Sequence, residues 1–195
     1  MRILVLFAAV ILGISSGFIY LSVPRPTSRV VENGAFSIAM PSVVGQEVSF
    51  AQAQASVSFK ISLPTSMGTP VEIKLDLPPH SNPERVCIIY AAHKPSNDAT
   101  TNDVLDQEGI ILYEEPKLVT LQNASQTIRA AINTTKNDPG GGLHEVSING
   151  YVGCAGGTFS NCVTWYTETT FYELVANFNH PMQQLIEIAQ SIPVK

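Results

Sequence analysis

The chain has 195 residues, of which 45% are hydrophobic and 14% charged, with a formal net charge of −5. That length and apolar content suffice for one well-buried core without disulfide or metal staples. The acidic balance argues against nucleic acid as a partner and against adhesion to anionic lipid headgroups.

Residues 3–23 carry no charge, a run of about 21 positions and long enough to cross a bilayer. Residues 1–23 therefore read as a transmembrane anchor. The competing reading is a signal peptide, with Ser15, Ser16 and Gly17 small enough for cleavage. With only Met1 and Arg2 ahead of the span, the expected topology leaves the short N-terminus inside and the remainder outside the cytoplasm. The protein would then be a single-pass membrane protein, or secreted if the segment is cleaved. Signalling across the membrane would need a partner, because this reading leaves no cytoplasmic domain.

Residues 24–46, which include Pro24, Pro26 and Pro41, read as a linker with one short strand near 36–40, ahead of a domain spanning 47–195. Ser49 and Gln52 have the spacing of a capping box, so a short alanine-rich helix ending near Ser56 should follow. Phe59, Ile61 and Leu63 alternate with polar residues as a strand stopped by Pro64. Val71, Ile73, Leu75 and Leu77 alternate with Glu72, Lys74 and Asp76, which predicts a strand with one dry and one wet face. The run 86–90 is apolar on both faces and belongs inside a sheet. The Asn-, Asp- and Thr-rich stretch 94–108 reads as a long surface loop. Another strand is expected at 110–113, and Leu121, Ser125, Ile128 and Ile132 share one helical face.

The C-terminal third reads as a three-stranded meander closed by a helix. Val146, Ile148 and Val152 set a two-residue period over 146–153, Gly156 and Gly157 mark a loop, 163–166 form a second strand, and 171–176 a third. Pro181 suits a first helical position, with His180 as cap and Gln183 reaching back. Met182, Leu185, Ile186, Ala189 and Ile192 then make one apolar stripe. The expected fold is α+β, a twisted antiparallel sheet of about seven strands with two or three helices on one face.

The order of Asn149-Gly150, the glycine loop, Val163-Thr164-Trp165, Phe171-Tyr172-Glu173-Leu174 and the closing 185–192, LIEIAQSI, resembles a prokaryotic extracytoplasmic domain family of unknown function. Members of that family occur at the outer end of anti-sigma-factor-like membrane proteins and beside domains like lipoprotein carriers. Residues 51–64, AQAQASVSFKISLP, are similar to its opening helix and strand, and the likeness runs over 47–192. This chain departs from the pattern after Pro64 and at 94–108 and 121–142. The resemblance supplies no catalytic residues.

Few residues suggest chemistry. Cys154 and Cys162 bracket a short loop between two paired strands and are expected to form a disulfide outside the cell, the alternative being two buried thiols. Cys87, in an apolar strand, reads as core. His80, His93, His144 and His180 are scattered, so neither a metal site nor a cofactor is implied. Asp98, Asp103, Asp106 and Glu108 lack the spacing of a calcium loop. Glu114 and Glu115 fall on opposite faces of a strand and cannot act as an acid–base pair. Trp165, Tyr166, Phe171 and Tyr172 either line a ligand groove or, as is commoner in a meander, pack the core. Asn123 and Asn133 head glycosylation sequons.

These features favour a membrane-anchored extracytoplasmic binding or sensing module without catalytic activity. Its partner would be a protein or an apolar ligand. The alternative is a lipid or lipoprotein carrier with an apolar cavity lined around Trp165. A hydrolase would require a polar cluster about His144 or His180.

Overall fold

The computed structural model describes residues 43–137 and 142–194. The anchor or signal peptide expected at 1–23 and the strand near 36–40 lie outside these residues. No helix among the described residues is long and apolar enough to cross a membrane.

The fold is α+β, with an eight-stranded antiparallel sheet and four helices among the described residues. In chain order the elements are β1 (Gln46–Glu47), α1 (Phe50–Ser56), β2 (Glu72–Asp76), β3 (Arg85–Tyr90), α2 (Thr101–Asp106) and β4 (Ile110–Pro116). Then come α3 (Leu121–Thr135), β5 (His144–Ile148), β6 (Tyr151–Gly156), β7 (Asn161–Tyr166), β8 (Thr170–Ala176) and α4 (Met182–Gln190). The spatial order β1-β2-β3-β4-β8-β7-β6-β5 joins two four-stranded meanders along β4 and β8. Helix α3 connects β4 to β5 at the far edge.

Both faces of the sheet are covered, which corrects the expectation of helices on one face. Val86, Ile88, Leu112, Val163, Trp165 and Leu174 form the first face, under Phe59 and Ile61 and under Leu185, Ala189 and Ile192 at α4. On the second face, Val104 and Leu105 of α2 pack on Cys87, Ile89, Ile111, Tyr113 and Val175. Ile128 and Ala131 of α3 pack beside them on Cys154. Two apolar faces need two layers of cover, and helices of modest length share the task.

Several local readings change with this arrangement. Strand β2 is buried on both faces, Glu72, Lys74 and Asp76 included, because its expected wet face is the second core face. The strand expected at 146–153 is instead a hairpin. Asn149 (φ 51°) and Gly150 (φ 88°) hold the two left-handed positions of its tight turn, the backbone that a two-residue hairpin loop demands. The stretch expected to be loop contains α2, which opens on a capping box. There the Thr100 side chain accepts from the Asp103 N–H at 3.3 Å, and the Asp103 carboxylate accepts from the Thr100 N–H at 2.7 Å. Residues 57–64 are not a strand. They alternate because one side packs the sheet while the backbone joins no ladder. At α4, Pro181 is the cap residue rather than His180, and Gln183 bonds to Glu187 at 3.1 Å instead of reaching back.

Candidate functional site

The aromatic residues expected to share a groove are divided between the two faces. Adjacent strand residues point opposite ways, so Trp165 and Tyr166 separate, as do Phe171 and Tyr172. Trp165 stacks on Tyr172 on the first face, with ring centroids 4.8 Å apart and planes within 7°. Tyr166 meets Phe171 on the second face at 4.7 Å, tilted by 53°. Trp165 is 0% exposed, so this pair belongs to the core.

The disulfide expected between Cys154 and Cys162 is not formed. Cys154 stands opposite Thr164 and Cys162 opposite Gly156, so the two sulfurs are offset diagonally on the second face rather than paired directly. All three cysteines are buried thiols.

The second face carries a polar row that sequence reasoning does not assemble. Register places Glu47, Lys74, Cys87, Tyr113, Glu173, Thr164, Cys154 and Glu145 in one line across all eight strands. Beside it Arg85 Nε donates to Glu115 Oε1 at 2.6 Å, both side chains being buried. Cys162 Sγ donates to Glu173 Oε1 at 3.5 Å, and the Tyr113 and Thr101 hydroxyls lie 3.3 Å apart. Burial pushes the Cys87 thiol up to about 12, against the smaller pull of Lys74. It pushes Tyr113 well up too, with Cys87 adding to the effect. A thiol held that far from its thiolate is not a nucleophile at neutral pH. Glu72, at the start of β2, is also raised by burial, with Lys74 Nζ at 3.9 Å opposing. The signal for this row is the run of polar residues on every second position of β2, legible only once that face is known to be covered.

Glu114 occupies the opposite face and is 0% exposed. Its two oxygens accept from the Ser62 N–H at 3.2 Å each. Burial raises it well above the usual carboxylate range, and the Ser62 N–H is the lesser, opposing influence. Glu115 points to Arg85 on the other face, so the two adjacent acids do not act together.

The solvent-facing feature is at one end of the sheet, where β4 begins, β6 ends, β7 begins and β8 ends. Phe159 is 85% exposed on the β6–β7 loop and Phe178 is 58% exposed on the β8–α4 loop. These loops are fastened together by Asn161 Nδ2 donating to the His180 carbonyl at 2.8 Å. Asn177 Nδ2 donates to the Leu105 carbonyl at 2.7 Å, and Asn179 Nδ2 to Glu108 Oε1 at 3.3 Å, which ties α2 to the same platform. The ring of His180 contacts the Glu108 carbonyl at 3.0 Å and Gln184 at 3.4 Å, and among the described residues no carboxylate bonds to it. His144 is exposed at the start of the edge strand β5. Of the loop acids, Asp103 caps α2 while Asp98 and Asp106 are exposed. Among the described residues no three His, Cys, Asp or Glu side chains gather as a metal site.

A shallow cleft of about 150 Å³ lies between α3 and the β6–β7 pair, lined by Leu121, Ala124, Tyr151, Val152 and Tyr166. Comparison with family models, with curated proteins and with solved structures gave no match.

Proposed function

We propose that the chain is an extracytoplasmic binding module without catalytic activity, held at the membrane by residues 1–23, and that it docks a protein partner through Phe159 and Phe178. The observation that carries this reading is that these two phenylalanines stand in solvent on neighbouring, mutually fastened loops. Their composition resembles an interface centre, where aromatic side chains dominate and charge is sparse. The rim includes the neutral amides Asn177 and Asn179, with Glu108 already engaged by Asn179. A protein surface suits that mixture of apolar centre and amide rim. An anionic membrane or a polynucleotide would call for a basic surface, and the chain carries a net charge of −5.

The lack of catalytic activity is supported by where the reactive groups lie. Cys87, Tyr113 and Glu114 are enclosed in the core, away from substrate. The carrier reading has less behind it. Trp165 is packed against Tyr172 rather than lining a cavity. The α3 cleft holds about 150 Å³. Ordinary ligand pockets begin at roughly 300 Å³.

The test is chemical crosslinking in the membrane of origin with the wild type, the Phe159→Ser/Phe178→Ser variant and a Leu118→Ser control. A discrete adduct that survives Leu118→Ser and disappears with the double substitution supports the reading. An adduct unaffected by the double substitution, or a co-purified lipid in place of a protein, overturns it.

A further inference from the structure

Residues 57–64 cross the first face of the sheet as a strap, three of whose N–H groups are held by side chains. The Ser58 N–H donates to Glu84 Oε1 at 2.5 Å, the Ile61 N–H to Gln54 Oε1 at 2.9 Å, and the Ser62 N–H to both oxygens of Glu114. Gln54 also donates its amide to the Phe59 carbonyl at 2.9 Å. Beyond the strap, the Ser66 and Ser191 hydroxyls lie 2.7 Å apart and fasten it to the end of α4. Phe59 and Ile61 turn inward while Ser58 and Lys60 stay exposed. A segment held by side chains rather than by a ladder is the part of this face with least backbone cooperativity, and so the part that opens first.

The contact with Glu114 is the deepest of these attachments. Glu114 lies in one row with Val86 of β3, Tyr172 of β8 and Trp165 of β7. The titratable groups facing it are Tyr90 from β3 and Tyr172 from β8, with Tyr151 of β6 behind Tyr172. Helices α1 and α4 present Ala53, Leu185 and Ala189 to this face, and the cation of the strap, Lys60, is in solvent. Among the described residues, nothing basic therefore compensates a negative charge at this position. One N–H donor is too little to hold a carboxylate in an apolar interior, and it is burial, against the pull of that N–H, that favours the neutral carboxyl.

We propose that Glu114 is a proton-dependent latch: its neutral carboxyl keeps the strap closed over the first face, and loss of the proton opens the strap while the ladder of β3, β4, β8 and β7 remains. Opening hydrates the carboxylate and exposes Phe59 and Ile61 together with the Trp165–Tyr172 floor. The device is separate from the Phe159–Phe178 end and does not depend on it. Burial supports it by holding Glu114 well above the usual carboxylate range.

The chain contains a single tryptophan, Trp165, which stacks on the Tyr172 neighbour of Glu114 and so reports on the latch. The experiment follows Trp165 emission and amide exchange at Ile61 and Ser62 in the full chain as pH rises. The wild type should show a one-proton transition at a pH below the ionisation of Tyr172, which burial pushes up to about 12. Exchange at Ile61 and Ser62 should accelerate through it while amides of β7 and β8 stay protected. In Glu114→Gln the transition should vanish, and in Gln54→Ala, where the strap is loosened but the acid is retained, it should move to lower pH. A transition that persists in Glu114→Gln, a wild type with no transition below the tyrosine range, or loss of β7 and β8 protection at the same pH would overturn the proposal.

Discussion

Arg85 and Glu115 illustrate how this core tolerates charge. Their 2.6 Å contact is buried on both sides, so each neutralises a group that would otherwise be stranded. Such pairs contribute little net stability against an apolar replacement, but removing one partner costs about 3–5 kcal/mol. Arg85→Ala should accordingly destabilise the domain by about that much in denaturant unfolding, and Arg85→Met with Glu115→Leu should restore most of it. Glu114 has no cationic partner among the described residues, and its effect on stability depends on pH. Its carboxyl is raised in the folded state above the value of 4.5 for an unburied glutamate. The stability it confers is therefore complete below that unburied value and is lost as pH rises through the folded one. The exposed carboxyls Asp103 and Glu145 are lowered by hydrogen bonds, and their small contributions fall away on acidification instead. The difference between wild type and Glu114→Gln isolates the buried group: unfolding midpoints across pH should show the variant gaining relative stability on the alkaline side. The cysteines offer a simpler check. Peptide mapping of the native protein without reductant should return Cys87, Cys154 and Cys162 as three thiols, all slow to alkylate until the protein is unfolded. A linked Cys154–Cys162 peptide would contradict the register described for β6 and β7.

At the scale of elements, the β5–β6 hairpin depends on two left-handed residues. Gly150→Ala places a side chain on left-handed backbone at φ 88°. Such a conformation costs an L-residue about 1–2 kcal/mol. The loss should appear as a shift in unfolding midpoint, with no effect on the β7–β8 pair. The Asn149-Gly150 signal for this turn is present in the sequence. It is masked by the even spacing of Val146, Ile148 and Val152, which suggests one continuous strand even though the chain reverses between them. Much else in the C-terminal third is legible, because each strand there is bounded by glycines or threonines and α4 carries an apolar stripe with polar flanks. The box of Ser49 and Gln52 marks α1 correctly, with the Ser49 N–H donating to Gln52 Oε1 at 2.9 Å. The same pattern at Thr100 and Asp103 is hidden because the surrounding Asn, Asp and Thr residues have the composition of a loop. The strap misleads in the opposite sense. Phe59 and Ile61 alternate with Ser58 and Lys60 as in a strand, and alternation records which side is buried but not whether the backbone has a neighbour.

Over the whole molecule, what sequence could not supply is the second layer of cover. Glu72, Lys74 and Asp76 look solvated when taken alone, and only the pairing of β2 with β3, opposite Cys87 and Ile89, places them on an enclosed face. The same two-sidedness divides Trp165 and Tyr172 from Tyr166 and Phe171 and removes the groove that the four suggest together. It also bears on the proposed docking end. With the aromatics of the meander committed to the interior, the large apolar side chains left in solvent among the described residues are Phe50, Leu118, Phe159 and Phe178, of which Phe159 and Phe178 lie on tied neighbouring loops at one end of the sheet and Leu118 at the other.

The most direct measurement is therefore site-specific photocrosslinking in the native host, with a benzophenone amino acid placed in turn at positions 159, 178 and 118. A docking end at the β6–β7 and β8–α4 loops predicts the same protein adduct from 159 and 178 and none from 118. Adducts from all three positions, or from 118 alone, would contradict it.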